Sequence, residues 1–113
     1  MRPRQDGTVA PLAAPVDPEF VRALGSLGRH RNCAILRVLA ESPLRFNEIV
    51  GAMAGVPEST VSAALRELDA EGLISRRVEP GPPLRVVYEL TPAGTELAPT
   101  VQSLGAWAER RAS

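Results

Sequence analysis

The sequence predicts a mainly α fold with a small β-hairpin, a winged helix-turn-helix, and three observations lead there. Residues 43–94 read as a helix, a tight turn, a second helix and then a hairpin closed by Pro80-Gly81-Pro82-Pro83. Apolar residues recur at helical spacing on both sides of that stretch and alternate within it. The chain has 113 residues and 44% hydrophobic content, enough for one domain with one core and too apolar for a disordered chain.

Residues 1–16 carry Pro3, Pro11, Pro15 and Gly7 among scattered alanines and read as a disordered arm. Arg2 and Arg4 in that arm are either minor-groove candidates or simply solvated. The folded domain is expected over 17–113. Asp17 is an N-cap and Pro18 a first helical residue, which opens the first helix. Phe20, Leu24 and Leu27 fall at i, i+4, i+7 and predict one buried stripe. Gly25 and Gly28 end or loosen this helix. The second helix is expected over about 29–41. Its apolar residues Cys33, Ile35, Leu36, Val38, Leu39 and Ala40 cover most of the circumference, so it reads as the central helix, stopped by Ser42-Pro43.

Phe46, Ile49, Val50 and Met53 define a short third helix, followed by a turn at Gly55-Val56. Pro57 suits the first position of a fourth helix whose buried face is Val61, Ala64, Leu65 and Leu68. At 100° per residue, Ser59, Ser62, Ala63 and Arg66 point away from that face. Gly72 is the expected C-cap. Two strands follow, Leu73–Val78 and Arg85–Leu90. Val86, Tyr88 and Leu90 are expected inward, and Arg85, Val87 and Glu89 outward. Thr91-Pro92 opens a last helix reaching about Arg111, with an apolar stripe of Leu97, Val101, Leu104 and Ala108 flanked by Trp107. Pro99 inside it predicts either a kink or a late start.

The second helix of a helix-turn-helix enters the major groove, which makes the fourth helix the candidate reader of DNA. Ser59, Ser62 and Arg66 are its candidate contacts, and Ala63 at the centre of the face predicts few direct base contacts and more dependence on DNA shape. Arg76, Arg77 and Arg85 on the hairpin, with Arg45 before the third helix, extend this to one basic strip. Such a strip binds phosphate in a salt-dependent way. The competing view is an ordinary surface whose arginines pair with Glu79 and Glu89.

The net charge is zero and the pI about 6.6, so any basic surface is local. All thirteen cationic residues are Arg. One cysteine excludes an internal disulfide or a cysteine-cluster metal site, and Cys33 on the central helix reads as a core residue. His30 is the only histidine, and a lone histidine makes no metal site. No nucleophile–base pair, phosphate-binding glycine loop or paired-carboxylate motif stands out, so no enzyme and no cofactor is expected. No apolar run reaches membrane-spanning length and no signal peptide is visible, which makes a cytoplasmic location the expectation.

The stripe of the last helix needs a cover. In a chain this short the natural cover is the same helix of a second copy, with help from the first helix. The expected dimer interface is Phe20, Leu97, Val101, Leu104, Trp107 and Ala108. Twofold symmetry would then offer two reading helices to successive major grooves.

From Asp17 to Arg111 the chain resembles the HxlR-type winged helix-turn-helix regulators, related to the MarR group. The resemblance is carried by Ile35-Leu36-Arg37, Pro43-Leu44-Arg45-Phe46-Asn47-Glu48-Ile49, Leu65-Arg66-Glu67-Leu68 and Glu71-Gly72-Leu73-Ile74. Arg76, Pro82-Pro83, Val86, Tyr88, Leu90-Thr91-Pro92-Ala93-Gly94, Leu104 and Trp107 then follow in family order. It implies a homodimeric bacterial DNA-binding regulator dimerised through its terminal helices, with Arg45, Ser59, Ser62, Arg66 and the hairpin arginines on DNA. The expected function is a sequence-specific regulator, a repressor by preference, acting as a homodimer on a pseudo-palindromic operator. The alternative is a winged-helix protein-interaction module that has lost DNA binding. A small-molecule effector remains open. The departures are specific. Asp17-Pro18-Glu19 stands where the family often has Cys-Pro, some members using that thiol as a redox sensor. Gly28-Arg29-His30-Arg31 stands for Gly-Gly-Lys-Trp, Pro57 for a capping Ser, and Ala63-Ala64 for polar residues. Leu84 is an extra wing residue and Val87 replaces a Glu.

Overall fold

The computed structural model describes residues 16–27 and 30–112. The order is α1 (Pro18–Leu27), α2 (His30–Leu39), β1 (Leu44–Arg45), α3 (Phe46–Ala52), α4 (Glu58–Ala70), β2 (Ile74–Glu79), β3 (Arg85–Leu90) and α5 (Pro92–Ala112). The arm with Arg2 and Arg4, the Gly28 stop, the second helix's start at residue 29 and the Leu27 side chain lie outside the described residues.

Each boundary has a local cause. The Asp17 carboxylate accepts the Glu19 N–H at 2.9 Å, and its carbonyl accepts from Val21, so it caps α1 as its sequence position predicts. The helix runs through Gly25 to Leu27. Gly55 turns the chain with φ +85°, and the Val56 N–H closes on the Met53 carbonyl. The Pro57 carbonyl accepts from Thr60 and Val61, so Pro57 occupies the cap position and α4 starts one residue later than expected. At the other end, Gly72 has φ +76°. Its N–H bonds to Asp69 O, and the Leu73 N–H bonds back to Leu68 O. That pair of bonds is the Schellman ending, which needs a left-handed residue and favours glycine.

The sheet has three strands in the order β1-β3-β2, all antiparallel. The two-residue strand β1 was not foreseen; it carries too little pattern to be read, and only pairing with β3 defines it. Both hairpin strands end where expected within one residue. In register, Arg45, Val87 and Arg77 lie side by side on one face, and Leu44, Tyr88 and Arg76 on the other.

The core is one cluster. Ile35, Leu36 and Leu39 of α2 meet Ile49 and Met53 of α3, Val61, Ala64, Leu65 and Leu68 of α4, Ile74 of β2 and Val101 of α5. Tyr88, Leu90 and Leu97 pack against it. Helix α2 is therefore central, as its all-round apolar sequence predicts. Beside the shared core, a hydrogen-bonded junction ties the recognition module to α5. Thr91 Oγ1 donates to the Gly72 carbonyl at 2.6 Å and accepts the Gly94 N–H at 3.1 Å, while the Thr91 N–H donates to Leu73 O. Gly94 lies so close to the Leu73 carbonyl that a Cβ there would collide with backbone.

Three expectations need correction. Phe20 and Leu24 do form a stripe, but none of the described residues buries it, and Phe20 is 57% exposed. The stripe of α5 divides. Val101 is only 3% exposed and belongs to the chain's own core, with Leu97 half-buried beside it, whereas Leu104 and Trp107 are about half exposed. Val87, expected outward, is 5% exposed. It sits on the middle strand, flanked in register by Arg45 and Arg77. Pro99 lies within α5, which starts at Pro92 and continues past it.

Candidate nucleic-acid interface

Helix α4 buries Val61, Ala64, Leu65 and Leu68, which turns Ser59 and Arg66 out to solvent and leaves Ser62 and Ala63 half-covered. Ala63 is less central to the exposed face than the helical wheel implies. With Ser59, Thr60, Ala64 and Glu67 it lines a cleft of about 180 Å³, closed on the other side by Arg31 and Asn32 of α2. At the inner end of this seam the Asn32 amide donates to Glu67 Oε1 at 3.1 Å. Asn32 is 2% exposed, the one buried polar residue among those described. A buried amide is costly unless bonded, so this bond selects one rotation of α4 against α2. Nothing in the sequence singled Asn32 out, since a polar residue early in a helix reads as solvent-facing.

The hairpin arginines do not form one strip. Strand alternation sends Arg77 and Arg85 to the face that also carries Arg45, and Arg76 to the opposite face. There the Arg76 guanidinium lies 6.0 Å from the Tyr88 ring centroid. The arginines also differ in what already holds them. Arg77 is bound twice, to Glu89 at 2.9 Å and Glu79 at 3.3 Å, and the Glu89 hydrogen bond, then its charge, holds its pKa above the ordinary value. Arg45 is loosely paired with Glu48 at 3.5 Å. Glu48 also accepts the Arg45 N–H at 2.8 Å, which caps α3 and is the first cause of its lowered pKa. Arg66 and Arg85 have no carboxylate within ion-pair distance among the described residues, and both are exposed. The competing reading of paired surface arginines thus fits Arg77 and does not fit Arg66 or Arg85.

The expected dimer residues fall into two groups. Phe20 on α1 and Leu104, Trp107 and Ala108 on the distal half of α5 are exposed; Leu97 and Val101 are turned to the core. Arg111 lies 5.3 Å from the Trp107 ring centroid. Among the described residues no group of three or more His, Cys, Asp or Glu side chains is placed to hold a metal, and no helix is long and apolar enough to cross a membrane. Cys33 is half-buried, and burial pushes its thiol pKa up.

Comparison with known proteins agrees with this architecture. Residues 26–113 match the family model described as HxlR-like helix-turn-helix. The HTH-type transcriptional regulator YodB of Bacillus subtilis is 33% identical over 93 residues, covering 82% of this chain and 83% of YodB. The transcriptional regulator YvaP of the same organism is 34% identical over 80% of this chain and 84% of its own length. Among solved structures, the reduced form of B. subtilis YodB superposes with a TM-score of 0.75 at 32% identity, over 85% of this chain and 94% of that one. The redox regulator HypR in its reduced form gives 0.76 at 26% identity, over 84% and 94%. The family consists of transcriptional regulators with a helix-turn-helix DNA-binding domain, not enzymes. On the strength of the family match and the YodB likeness together, the chain belongs to the HxlR-like helix-turn-helix family of transcriptional regulators.

Proposed function

We propose that the protein is a homodimeric repressor that binds a pseudo-palindromic operator. In this reading α4 enters the major groove with Ser59, Ser62 and Arg66, while Arg45, Arg77 and Arg85 hold phosphates alongside and Arg76 contributes from the other face of the hairpin. The single observation that carries it is the position of Arg66 and Arg85, exposed and without an ion-pair partner among the described residues, on the reading helix and the hairpin of a helix-turn-helix. Phosphate neutralisation makes such binding fall with salt, by roughly 0.9 in log–log slope per contact.

Dimerisation through α1 and α5 is supported by their exposed apolar residues. Phe20, Leu24, Leu104 and Trp107 are large, and α1 and α5 both pack on α2, which places them on the same central support. The operating compartment in this reading is the cytoplasm, where the DNA is.

Solved YodB structures include diamide-treated and quinone-bound forms. The present chain has Asp17 at the start of α1 and a single, half-buried thiol of raised pKa. Thiolate is the reactive form, so its DNA binding is proposed to be independent of thiol oxidation, and an effector of another chemistry stays open.

The test is fluorescence anisotropy with duplex from the intergenic DNA upstream of the chain's own gene, against an unrelated duplex, over a salt series. Tighter, salt-sensitive binding of the upstream duplex is expected. Equal weak binding of both, with affinity flat in salt, would overturn the reading and favour a protein-interaction module.

A further inference from the structure

The unassigned feature nearest the reading helix is the α2–α4 cleft. Its mouth carries Arg31, an exposed arginine with no carboxylate partner among the described residues. Ser59 and Ala63 of α4 line the same cleft, so the Arg31 side chain borders the face that this helix offers to a groove. Arg31 immediately precedes the residue that fixes the seam: Asn32, buried, is bonded to Glu67 of α4. The backbone at residue 31 is therefore tied to the reading helix rather than to a separate element. The bond also engages the one carboxylate of the cleft with Asn32.

A free guanidinium beside two hydroxyl-bearing residues, Ser59 and Thr60, and opposite a small Ala63, suits a single phosphate group. Guanidinium presents a planar set of donors to phosphate oxygens, and Ser or Thr hydroxyls donate to the same oxygens. The Ala63 side chain leaves the space in which a backbone phosphate can approach. We infer that Arg31 is a DNA-contact residue of this chain, holding a backbone phosphate beside the reading helix, and that Asn32 positions it by locking α2 to α4. The contact comes from α2, outside the helix-turn-helix and the hairpin. It supplies from a neighbouring helix the cation that the Ser59–Ala63 end of α4 lacks. This inference rests on the DNA-binding reading above.

The test compares Arg31→Ala, Arg31→Lys, Arg66→Ala and Arg110→Ala with the wild-type protein, on the upstream duplex and on an unrelated duplex, across a salt series. Arg110 is an exposed arginine in the last turn of α5, so its variant removes one charge far along the chain from the cleft. Thermal unfolding of each variant establishes that it is folded. The expected result is that Arg31→Ala weakens binding to both duplexes by a similar factor and lowers the salt slope by about one. Arg31→Lys keeps the slope, and Arg110→Ala leaves binding unchanged. An unchanged slope in Arg31→Ala beside a loss in Arg66→Ala overturns the inference while the DNA reading stands. An equal slope change in Arg110→Ala overturns it too, since net charge then explains the effect. Loss confined to the upstream duplex would mean a base contact and overturn the phosphate assignment. Absence of salt-sensitive binding in the wild-type protein overturns the DNA reading and this inference together.

Discussion

The helix-turn-helix with its hairpin and the outer surface formed by α1 and the distal half of α5 are built from similar apolar periodicities, yet they close in opposite ways. In the first, every stripe finds a partner in the chain: Ile49 of α3, Val61 and Leu68 of α4 and Ile74 of β2 meet the α2 residues Ile35 and Leu36 and are buried. In the second, Phe20, Leu24, Leu104 and Trp107 are regularly spaced and left open. Periodicity says that a face is to be buried; it does not say by which chain. Large exposed side chains gathered on α1 and the distal half of α5 are the pattern of an interaction surface, whereas the exposed residues of α4 are small or charged and the hairpin exposes only Val78 and Leu84 among its large apolar residues.

The strongest way to break that comparison is to make the open surface polar. Leu104→Asp with Trp107→Asp should give a folded monomer at concentrations where the proposed wild-type dimer forms, with affinity for a two-site duplex reduced by orders of magnitude. Sedimentation velocity reads the mass and circular dichroism the fold. A wild-type protein that is already monomeric, or a variant that unfolds, would remove the distinction between the two regions. The matching change Val101→Asp is expected to unfold the chain, since a buried unpaired charge costs several kcal/mol.

Glycines sharpen the contrast next. Gly94 faces the Leu73 backbone, where a Cβ cannot be accommodated, while a Cβ at Gly25 meets nothing within 4 Å. Gly94→Ala should cost on the order of 1–3 kcal/mol through forced backbone displacement. Gly25→Ala should be neutral or raise stability by up to ~1 kcal/mol through helix propensity. Urea denaturation of the two variants measures both.

Much of this division was legible in the residues, and the misses have physical causes. Helices α2 to α4 and both long strands follow from spacing and punctuation, because Pro57, Gly72 and Thr91-Pro92 act through local chemistry that neighbours in sequence determine. Strand β1 has two residues and exists only through pairing with β3. The buried Val87 depends on being the middle strand, which alternation alone does not reveal. Asn32 is buried because α4 lies across it. Leu97 and Val101 could not be separated from Leu104 and Trp107 by pattern, since one continuous stripe is covered by the chain's own core at one end and exposed at the other. At the candidate interface, the residue types were readable. Which arginines are already paired was not, because Glu89 reaches Arg77 across the ladder, twelve residues away in sequence.

That pairing ranks the candidate contacts. Arg66→Ala should cost about 1–3 kcal/mol of operator binding if it reads a base. Arg85→Ala should lower the salt slope by about one. Arg77→Ala should cost less than either, because Arg77 must share a guanidinium already held by Glu89 and Glu79. Charge reversal would not discriminate; alanine does, since it removes the donor without adding repulsion. An Arg77 effect exceeding that of Arg66 would mean that the hairpin, not α4, dominates binding.

The smallest effect expected in the reading half of the molecule concerns pH and Glu48. Its carboxylate is held below the usual range first by the Arg45 backbone N–H and then by the charge of Arg45. A group whose folded pKa is depressed stabilises the fold above its unfolded pKa, and that contribution disappears as pH falls through the folded value. Glu48→Gln should therefore be less stable than the wild-type protein at neutral pH, and the gap should close as pH falls below about 4, the ordinary range of a glutamate. The amide oxygen of Gln retains an acceptor for the Arg45 N–H, so what is lost is the charge, and the gap at neutral pH should shrink when salt is added. Thermal unfolding over a pH series at two salt concentrations reads both dependences. A gap that is constant in pH would assign Glu48 a packing role instead. In the outer half, a Leu104→Ala variant should show a stability difference that is flat over the same pH range.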